Sequence, residues 1–381
     1  MATTFKSFLN NDITSTRTLL HESIPITGSI VSGTYNQGST TTETNIKNFS
    51  HGLFQSVYDY PFLSSSANHI FDLTVGYSND STFSSSANTQ NKDKINMYNQ
   101  MAQVLMGYDA SGSIRKFDED GDLSSGGTKL SEVFFVNFAR MLQKDEIKKG
   151  SFSLEFGVTG SGATATQVAS FLGLNFNARV KASDLSGSTS YLVNSPAGDY
   201  GILYATSSTT DGVTHLTNDQ VPVGLVFYQA GIAVVSGSIF NDAVHGGVLS
   251  NTAGTTNLRN PFNAHLPVDG FQFVSGSSIS GSADAIRNRL YNISFNNTTE
   301  LNSTVYFCRA SHNEFNYSSN PTYLSNSKIV VKNESLDQPV SYITTVGLYS
   351  ANNELLAVAK VSEPLQKTPD TELVLRVRLD Y

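Results

Sequence analysis

The last nine residues constrain the fold of this chain more than any other stretch. Along residues 373–381, apolar and charged side chains alternate. The apolar positions are Leu373, Leu375, Val377, Leu379 and Tyr381. Arg376 and Arg378 lie between them and therefore point the other way. Period-two alternation is typical of a half-buried β-strand. We expect the five apolar side chains to face a core, and the two arginines to face solvent or a partner protein.

A predicted β-hairpin precedes this strand. Residues 341–349 are rich in β-branched and aromatic side chains, and the Ser-Ala-Asn-Asn sequence at 350–353 favours a turn, because Asn tolerates left-handed dihedral angles. A second apolar run follows over 354–361, and we expect Glu363 and Pro364 to end it. The C-terminal region is therefore predicted to be an antiparallel sheet that includes the end of the chain.

Other segments add strands and two helices. Residues 152–158 alternate as a strand does, residues 133–142 are apolar on both faces as in a central strand, and residues 223–235 form a hairpin across 229–231. Apolar residues recur at three- and four-residue spacing over 93–106, which predicts a helix capped by Asp93 and stopped by Gly107. A second helix is predicted over 283–290, capped by Ser282.

These patterns predict a mainly β, multi-domain protein with β-sandwich or barrel-like sheets and one or two helices. A length of 381 residues suggests about two or three domains. We expect a mixed β domain with one helix at 1–160 and a glycine- and serine-rich β domain at 161–325, with a long inserted loop at 241–268. An antiparallel β domain is expected at 326–381.

Composition narrows the classes of partner. The net charge of −8 opposes nucleic-acid binding, which needs clustered Lys and Arg to neutralise phosphates. No window approaches the roughly 18 apolar residues of a membrane helix, and the first residues do not resemble a signal peptide, so we expect no membrane partner. Cys308 is the only cysteine, which excludes an internal disulfide, and its apolar setting favours a buried small side chain over a nucleophile.

The candidate chemical motifs do not match known site spacings. The densest acidic cluster is residues 118–122. Counted from Asp118, an EF-hand needs Gly at position six and Glu at position twelve, but these are Leu123 and Lys129. A solvated acidic turn is therefore favoured over a Ca²⁺ site. The seven histidines lack metal-ligand spacing, and no phosphate-binding loop occurs. We expect no catalytic residues, cofactor, metal or small-molecule substrate, and thus no enzyme.

Seventeen Tyr and 23 Phe raise the alternative of a carbohydrate-binding protein, because aromatic faces stack on sugars. Most of these residues lie in apolar runs and are expected in the core. Tyr35, Tyr77 and Tyr317 stand in polar surroundings and are the candidates for exposure, although they are dispersed along the chain.

Several segments resemble virion structural proteins of tailed bacteriophages, most closely those of large contractile-tailed phages of marine bacteria. The resemblance is carried by the hairpin at 342–360, the close at 368–381, the opening at 5–13 and the stretch at 52–66. The hairpin is also similar to the particle-attached domains of some tail fibres. The resemblance implies a component of the virion that is assembled in the cytoplasm of the host bacterium.

We therefore expect a structural subunit of the tail, neck or baseplate that acts by assembly, as a homo-oligomer and with neighbouring virion proteins. Arg376 and Arg378 are the candidate interface residues. The alternative is a capsid-surface or host-recognition protein that binds glycans. A glycan hydrolase is a third hypothesis, and it would need two carboxylates about 5–9.5 Å apart on either side of a sugar.

Overall fold

The computed structural model describes most of the chain. The described residues are 5–21, 26–29, 45–85, 87–122, 126–142, 145–159, 178–207, 220–241, 278–287, 289–317 and 338–381, with short pieces at 216, 218, 247–248, 324–325, 328–329 and 336. Nearly all of the predicted loop at 241–268 lies outside them, as does Tyr35. The contacts divide the chain into two units, residues 21–299 (unit 2) and residues 1–20 with 300–381 (unit 1).

Strands account for most of the regular structure, as predicted. In unit 2 they are β2 (Ile26–Ser29), β3 (Ile46–Asn48), β4 (Gln55–Tyr58), β5 (His69–Tyr77), β6 (Glu132–Asn137), β7 (Glu146–Ile147), β8 (Ser153–Thr159), β9 (Ala178–Ser183), β10 (Leu192–Ser195), β11 (Gly198–Ser207), β12 (Val221–Phe227), β13 (Ile232–Ser236) and β14 (Leu290–Phe295). Those wholly or mainly in unit 1 are β1 (Ile13–His21), β15 (Asn297–Ala310), β16 (Leu324–Ser325), β17 (Lys328–Ile329), β18 (Ser341–Tyr349), β19 (Leu355–Lys367) and β20 (Leu373–Asp380).

Helices are few in the described part of the chain. The α-helices are α1 (Asn91–Leu105) and α2 (Ile279–Arg287), and short 3-10 helices span Asn10–Asp12, Ala139–Met141 and Gly237–Phe240. The mainly β, multi-domain fold class predicted from the sequence is confirmed.

One large antiparallel sheet organises unit 2. Its described strands follow the order β2-β14-β8-β9-β11-β12-β13-β6-β5-β4-β3, and β10 pairs with β11 beside this path. The predicted central strand is β6, which pairs with β13 on one side and β5 on the other. The predicted hairpin at 223–235 is β12 and β13, joined through Gly231, whose φ of 65° needs the freedom of glycine.

Contacts between distant strands show that this sheet curls. Strands β6 and β8 are five steps apart in the sheet order, which is roughly 24 Å in a flat sheet. Yet the ring centroids of Phe134 on β6 and Phe156 on β8 lie 5.5 Å apart, and both rings contact Phe240. The sheet must therefore curve until one face meets itself. That inner face holds the larger of the two cores in the unit.

The outer face carries the second core, which helix α1 covers. Alternate residues of β6 divide between the cores, with Phe134 facing inward and Phe135 facing the helix side. Gly76 on β5 allows a close approach, since a Cβ there would lie 2.8 Å from the carbonyl oxygen of Lys94 in the helix backbone. The central strands are buried on both faces for this reason.

The helix ends differ in detail from the sequence expectation. Helix α1 begins at Asn91, two residues before the predicted start, so Asp93 lies in the first turn and does not cap the helix. A carboxylate there is still favourable because it meets the positive end of the helix dipole. Gly107, with φ of 73°, ends the helix as predicted, and its N–H donates to the carbonyl of Ala102 at 3.1 Å.

Helix α2 begins four residues before its predicted start at 283. Its cap is Ser278, whose Oγ accepts a hydrogen bond from the N–H of Gly281 at 3.1 Å, and the predicted cap Ser282 lies inside the helix. Leu290, predicted as the last helical residue, opens strand β14. The apolar side chains of this helix join the core inside the curled sheet, so packing selected the earlier start.

Unit 1 contains a thin sheet and a separate ribbon. The sheet has the order β1-β15-β20. The strand predicted from the alternation is β20, and it pairs from Leu373 to Asp380 with β15, which lies outside the antiparallel domain expected at 326–381. Strands β18 and β19 pair with each other alone within the described residues. Strand β19 continues past Glu363 and Pro364, because Pro364 lies in a bulge where no ladder hydrogen bond is required.

The two observed units differ from the three consecutive segments expected at 1–160, 161–325 and 326–381. The predicted boundary after residue 160 falls between β8 and β9, which are neighbours in one sheet. The boundary after residue 325 separates β16 from β17, which pair with each other. Long-range strand pairing brings the two ends of the chain into one unit, and local composition carries no record of such pairing.

The curled sheet can be tested with a double-mutant cycle. We expect Phe134→Leu and Phe156→Leu to show a coupling free energy of unfolding of about 0.5–1.5 kcal/mol, the size typical of an aromatic pair. The control pair is Phe156→Leu with Phe227→Leu. The strand of Phe227, β12, is nearer to β8 in the sheet order than β6 is, but the Phe227 ring lies on the outer face. Urea unfolding of the single and double variants should show additivity for the control. Additivity for both pairs would contradict the curl.

Candidate functional site

Unit 1 has few buried apolar residues for its size. In the described residues they are Val305, Ala310, Val340, Leu348 and Val377. By contrast, sixteen of the large apolar side chains that are exposed belong to this unit, and seven belong to unit 2. Contiguous exposed apolar surface on a folded protein usually marks an interaction site. The exposed apolar side chains of unit 1 therefore make it the candidate for an interface.

The exposed apolar side chains of the ribbon concentrate at its turn. Tyr349, Leu355, Leu356 and Val358 surround the turn at 350–353 and are all exposed, Leu356 by 69%. We call these four residues the tip patch. The turn matches the sequence expectation, since Asn353 has a φ of 63°. A two-stranded ribbon is marginally stable in water without a packed face, so cover for the tip patch would stabilise it.

The predicted interface residues Arg376 and Arg378 lie on the exposed face of β20. Arg378 is held by Asp380, 2.7 Å from its Nε, and by the Ser303 hydroxyl, 2.9 Å from its Nη2. Hydrogen bonding by Ser303 and Arg378 lowers the pKa of Asp380, so this carboxylate is charged at neutral pH. The described residues add no further strand at the outer edge of β20, which leaves its backbone groups open to a partner strand.

The opposite face of β20 is only partly the core face expected. Val377 is buried, while Leu373, Leu375 and Leu379 are half-buried. Tyr381 is 72% exposed, which corrects the prediction that it packs into a core. The alternation is right, but the described residues do not cover this sheet enough to bury the last side chain.

The acidic segment 118–122 is less solvated than expected. Asp120 and Asp122 are exposed, but Asp118 is buried and forms an ion pair with Lys129. One carboxylate oxygen from each of the three lies within 4.8 Å of the others. The sequence expectation of a solvated turn therefore holds for two residues and is wrong for Asp118, because Asp118 and Lys129 form a β-bridge that turns the carboxylate inward.

A second acidic site was not foreseen from the sequence. Asp184 is buried, and its carboxylate accepts hydrogen bonds from the N–H of Gly150 at 2.7 Å, the N–H of Phe152 at 2.9 Å and the hydroxyl of Tyr228 at 3.0 Å. Burial raises the pKa of Asp184 to about 6, although the three donors oppose this shift. Burial and the nearby charge of Asp184 also raise the pKa of Tyr228.

Backbone packs tightly around this cluster. A Cβ at Gly187 or Gly201 would lie 2.4 or 2.1 Å from the hydroxyl of Tyr228, so the backbone closes directly around that group. Beside it, Lys149 forms ion pairs with Asp199 at 2.9 Å and Glu146 at 3.3 Å. The residues of the cluster around Asp184 come from four distant segments, and no spacing in the sequence indicates such a group. The polar groups of this cluster form hydrogen bonds and ion pairs with one another, and in this way they link neighbouring strands.

An aromatic group near β3 and β4 is the other feature that sequence reasoning missed. The rings of Phe49, His51 and Phe54 lie 4.6–5.2 Å from one another, and the Phe49 and His51 rings stack at an interplanar angle of 7°. The Nζ of Lys47 lies 4.8 Å from the centre of the Phe49 ring. Phe49 and Phe54 are half-buried, so this aromatic group has a side open to solvent.

The other residues singled out in the sequence differ in their burial. Tyr77 is buried against its expected exposure, and its hydroxyl donates to Asn91 at 2.7 Å, whereas Tyr317 is exposed. Cys308 is half-buried, and burial raises the pKa of its thiol, which disfavours the nucleophilic thiolate.

No protein-family model matches the chain, and comparisons with curated proteins and with solved structures find no match. Among the described helices, none has both the length and the apolar character needed to cross a membrane.

Asp184 predicts a defined pH dependence of stability. Its pKa is about 6 in the folded protein and about 3.9 in an unfolded chain, so the folded state binds the proton more tightly. The contribution of the protonated group is complete below pH 4 and is lost as pH rises through 6. Relative to a variant that cannot titrate, we expect wild type to lose about 2 kcal/mol of unfolding free energy between pH 4 and pH 7.

Asp184→Asn supplies that comparison. The variant should be less stable at pH 4 by about 1–3 kcal/mol, because its amide places a donor against one of the three donors now facing the carboxylate. Asp370→Asn, in an exposed turn, is the control and should follow wild type at every pH. Urea unfolding between pH 4 and pH 7 measures both. A constant gap between wild type and Asp184→Asn would contradict the raised pKa.

Proposed function

We propose that this protein is a structural subunit of a tailed phage particle, placed in the tail, neck or baseplate, and that it acts by assembly. The observation that carries the proposal is the exposed tip patch on a ribbon whose described strands have no other strand partner. The hairpin at 342–360 and the segments at 5–13 and 368–381 resemble virion structural proteins. This resemblance supports a virion as the assembly in which the tip patch is covered.

Assembly would cover the exposed apolar side chains of unit 1 and pair the edge of β20. A partner that covers Tyr349, Leu355, Leu356 and Val358 removes apolar surface from water, at roughly 25 cal/mol for each Å². A strand placed along the open edge of β20 would satisfy its backbone groups and bring the partner against Arg376 and Arg378. The partners are further copies of this chain and neighbouring virion proteins, which supports a location in the virion after assembly in the bacterial cytoplasm.

The tip patch can be tested by reversing its polarity. We expect Leu356→Lys with Val358→Lys to fold as wild type does, because both side chains are exposed, and to lose self-association in analytical ultracentrifugation. Leu63→Lys is the control, since Leu63 is 88% exposed in a loop of unit 2 and should leave association unchanged. In purified particles, mass spectrometry should detect the wild-type chain and the control, with the double variant depleted.

Two results would overturn the proposal. One is a wild-type chain that stays monomeric at high concentration and is missing from purified particles. The other is a double variant that associates and is incorporated as well as wild type, which would show that the tip patch has no role.

The alternative, a capsid-surface or host-recognition protein that binds glycans, is favoured by one observation. The aromatic group of Phe49, His51 and Phe54 has two half-buried phenyl rings and an exposed imidazole, with Lys47 beside them, and such a platform can stack on a sugar ring. The group lies in unit 2, so it could operate alongside assembly through unit 1.

Glycan binding predicts that polysaccharide from the bacterial surface binds the full chain. We expect Phe49→Ala with Phe54→Ala to reduce binding at least tenfold, because stacked aromatic faces supply most of the contact. Tyr108→Ala removes an aromatic side chain that is 50% exposed elsewhere in unit 2 and should bind as wild type does. Equal retention of all three proteins on immobilised polysaccharide, or of none, would exclude this role for the aromatic group.

A further inference from the structure

We propose that Asp118, Asp120 and Asp122 form a Ca²⁺-binding site in unit 2. The inference is independent of the role in a phage particle. It rests on the convergence of three carboxylates and on one buried oxygen of Asp118 without a hydrogen-bond partner in the described part of the chain.

The spacing of the three carboxylates suits a single ion. Their ligand oxygens lie within 4.8 Å of one another. Oxygens bound to one Ca²⁺ at about 2.3–2.6 Å are separated by up to about 5 Å, so one ion can contact all three. The group is irregular, with one buried and two exposed carboxylates, which fits the flexible coordination of Ca²⁺ better than the strict octahedron of Mg²⁺. Water would supply the remaining ligands on the exposed side.

The three carboxylates bring negative charge together at one place. Lys129 pairs with Oδ2 of Asp118, so this carboxylate already has one cationic partner. A Ca²⁺ ion would be attracted by the carboxylates that converge here. Lys129 stands at the twelfth position from Asp118, where an EF-hand has its glutamate, so the lysine occupies one side of the site permanently.

An unsatisfied oxygen provides the independent sign of a ligand. Asp118 is 1% exposed, and its Oδ1 has no hydrogen-bond partner in the described part of the chain. A buried carboxylate oxygen without a donor or a cation is costly, so such groups are normally paired. Gly127 borders this oxygen, since a Cβ built on the glycine would lie 3.4 Å from Oδ1.

Tyr200 gives a local reporter for the site. Its hydroxyl donates to the carbonyl oxygen of Gly121 at 2.9 Å, between Asp120 and Asp122 in the chain. The protein contains no tryptophan, so excitation of tyrosine would sensitise a Tb³⁺ ion that replaces Ca²⁺ here. Luminescence that Ca²⁺ displaces, and that Tyr200→Phe weakens, would locate the ion beside Tyr200.

The test is calorimetric titration of the full chain with Ca²⁺ after removal of metal with a chelator. We expect one ion per chain, with a Kd of about 0.1–1 mM as in other Ca²⁺ sites with few protein ligands, and a melting temperature that rises with Ca²⁺. Asp120→Asn with Asp122→Asn should weaken binding at least tenfold and abolish the rise. Asp109→Asn is the matched control, because Asp109 also accepts backbone hydrogen bonds in an exposed turn.

The metal-free proteins supply a second readout. Without Ca²⁺, Asp120→Asn with Asp122→Asn should melt no lower than wild type, because the substitutions relieve repulsion between like charges. If the double variant does not fold, each single substitution should still weaken binding. Wild type that shows no binding heat and no thermal shift at about 10 mM Ca²⁺, well above the range of weak Ca²⁺ sites, would overturn the proposal. So would equal binding by the double variant, and so would Mg²⁺ binding as tightly as Ca²⁺.

Discussion

The contact between distant strands across the inner face of the curled sheet is the constraint on which unit 2 depends. Phe134 on β6 reaches Phe156 on β8 across five strand positions, and Phe240 contacts both rings. Burial of these rings removes a large apolar area from water, which is the dominant favourable term in folding. Once the inner face is closed, the outer face of β6 must be covered as well, and helix α1 approaches Gly76 closely enough to do so.

Unit 1 follows the opposite design. Among the described residues, unit 1 exposes more large apolar side chains than unit 2 does, and few of its apolar side chains are buried. A unit with so small a core gains stability when further surface is buried. This property supports the proposal of an assembling subunit, in which the tip patch and the open edge of β20 meet a partner. In this proposal, the small number of buried apolar side chains in the described part of unit 1 explains why its exposed apolar residues and the edge of β20 would bind a partner.

Two buried carboxylates in unit 2 show how the surroundings of a group decide its role. Asp184 receives three hydrogen bonds and has no unsatisfied oxygen, so it joins strands and offers nothing to a ligand. Asp118 is paired through one oxygen with Lys129 and has the other free of a described partner, beside two more carboxylates. Asp184 therefore has a structural role, whereas Asp118 has surroundings that suit the proposed cation site.

Local patterns in the sequence determined the strands and the helix that a short window can define. The alternation at 373–381, the turn at Asn353 and the apolar stripe of α1 all predicted elements that the structure contains. The sequence did not determine which strands pair, because pairing joins residues far apart in the chain, as in β8 with β9 or β15 with β20. Tertiary structure alone decided the curl around Phe134, the exposure of Tyr381 and the burial of Asp118 and Asp184. Each depends on what lies opposite a side chain in space, which no local pattern records.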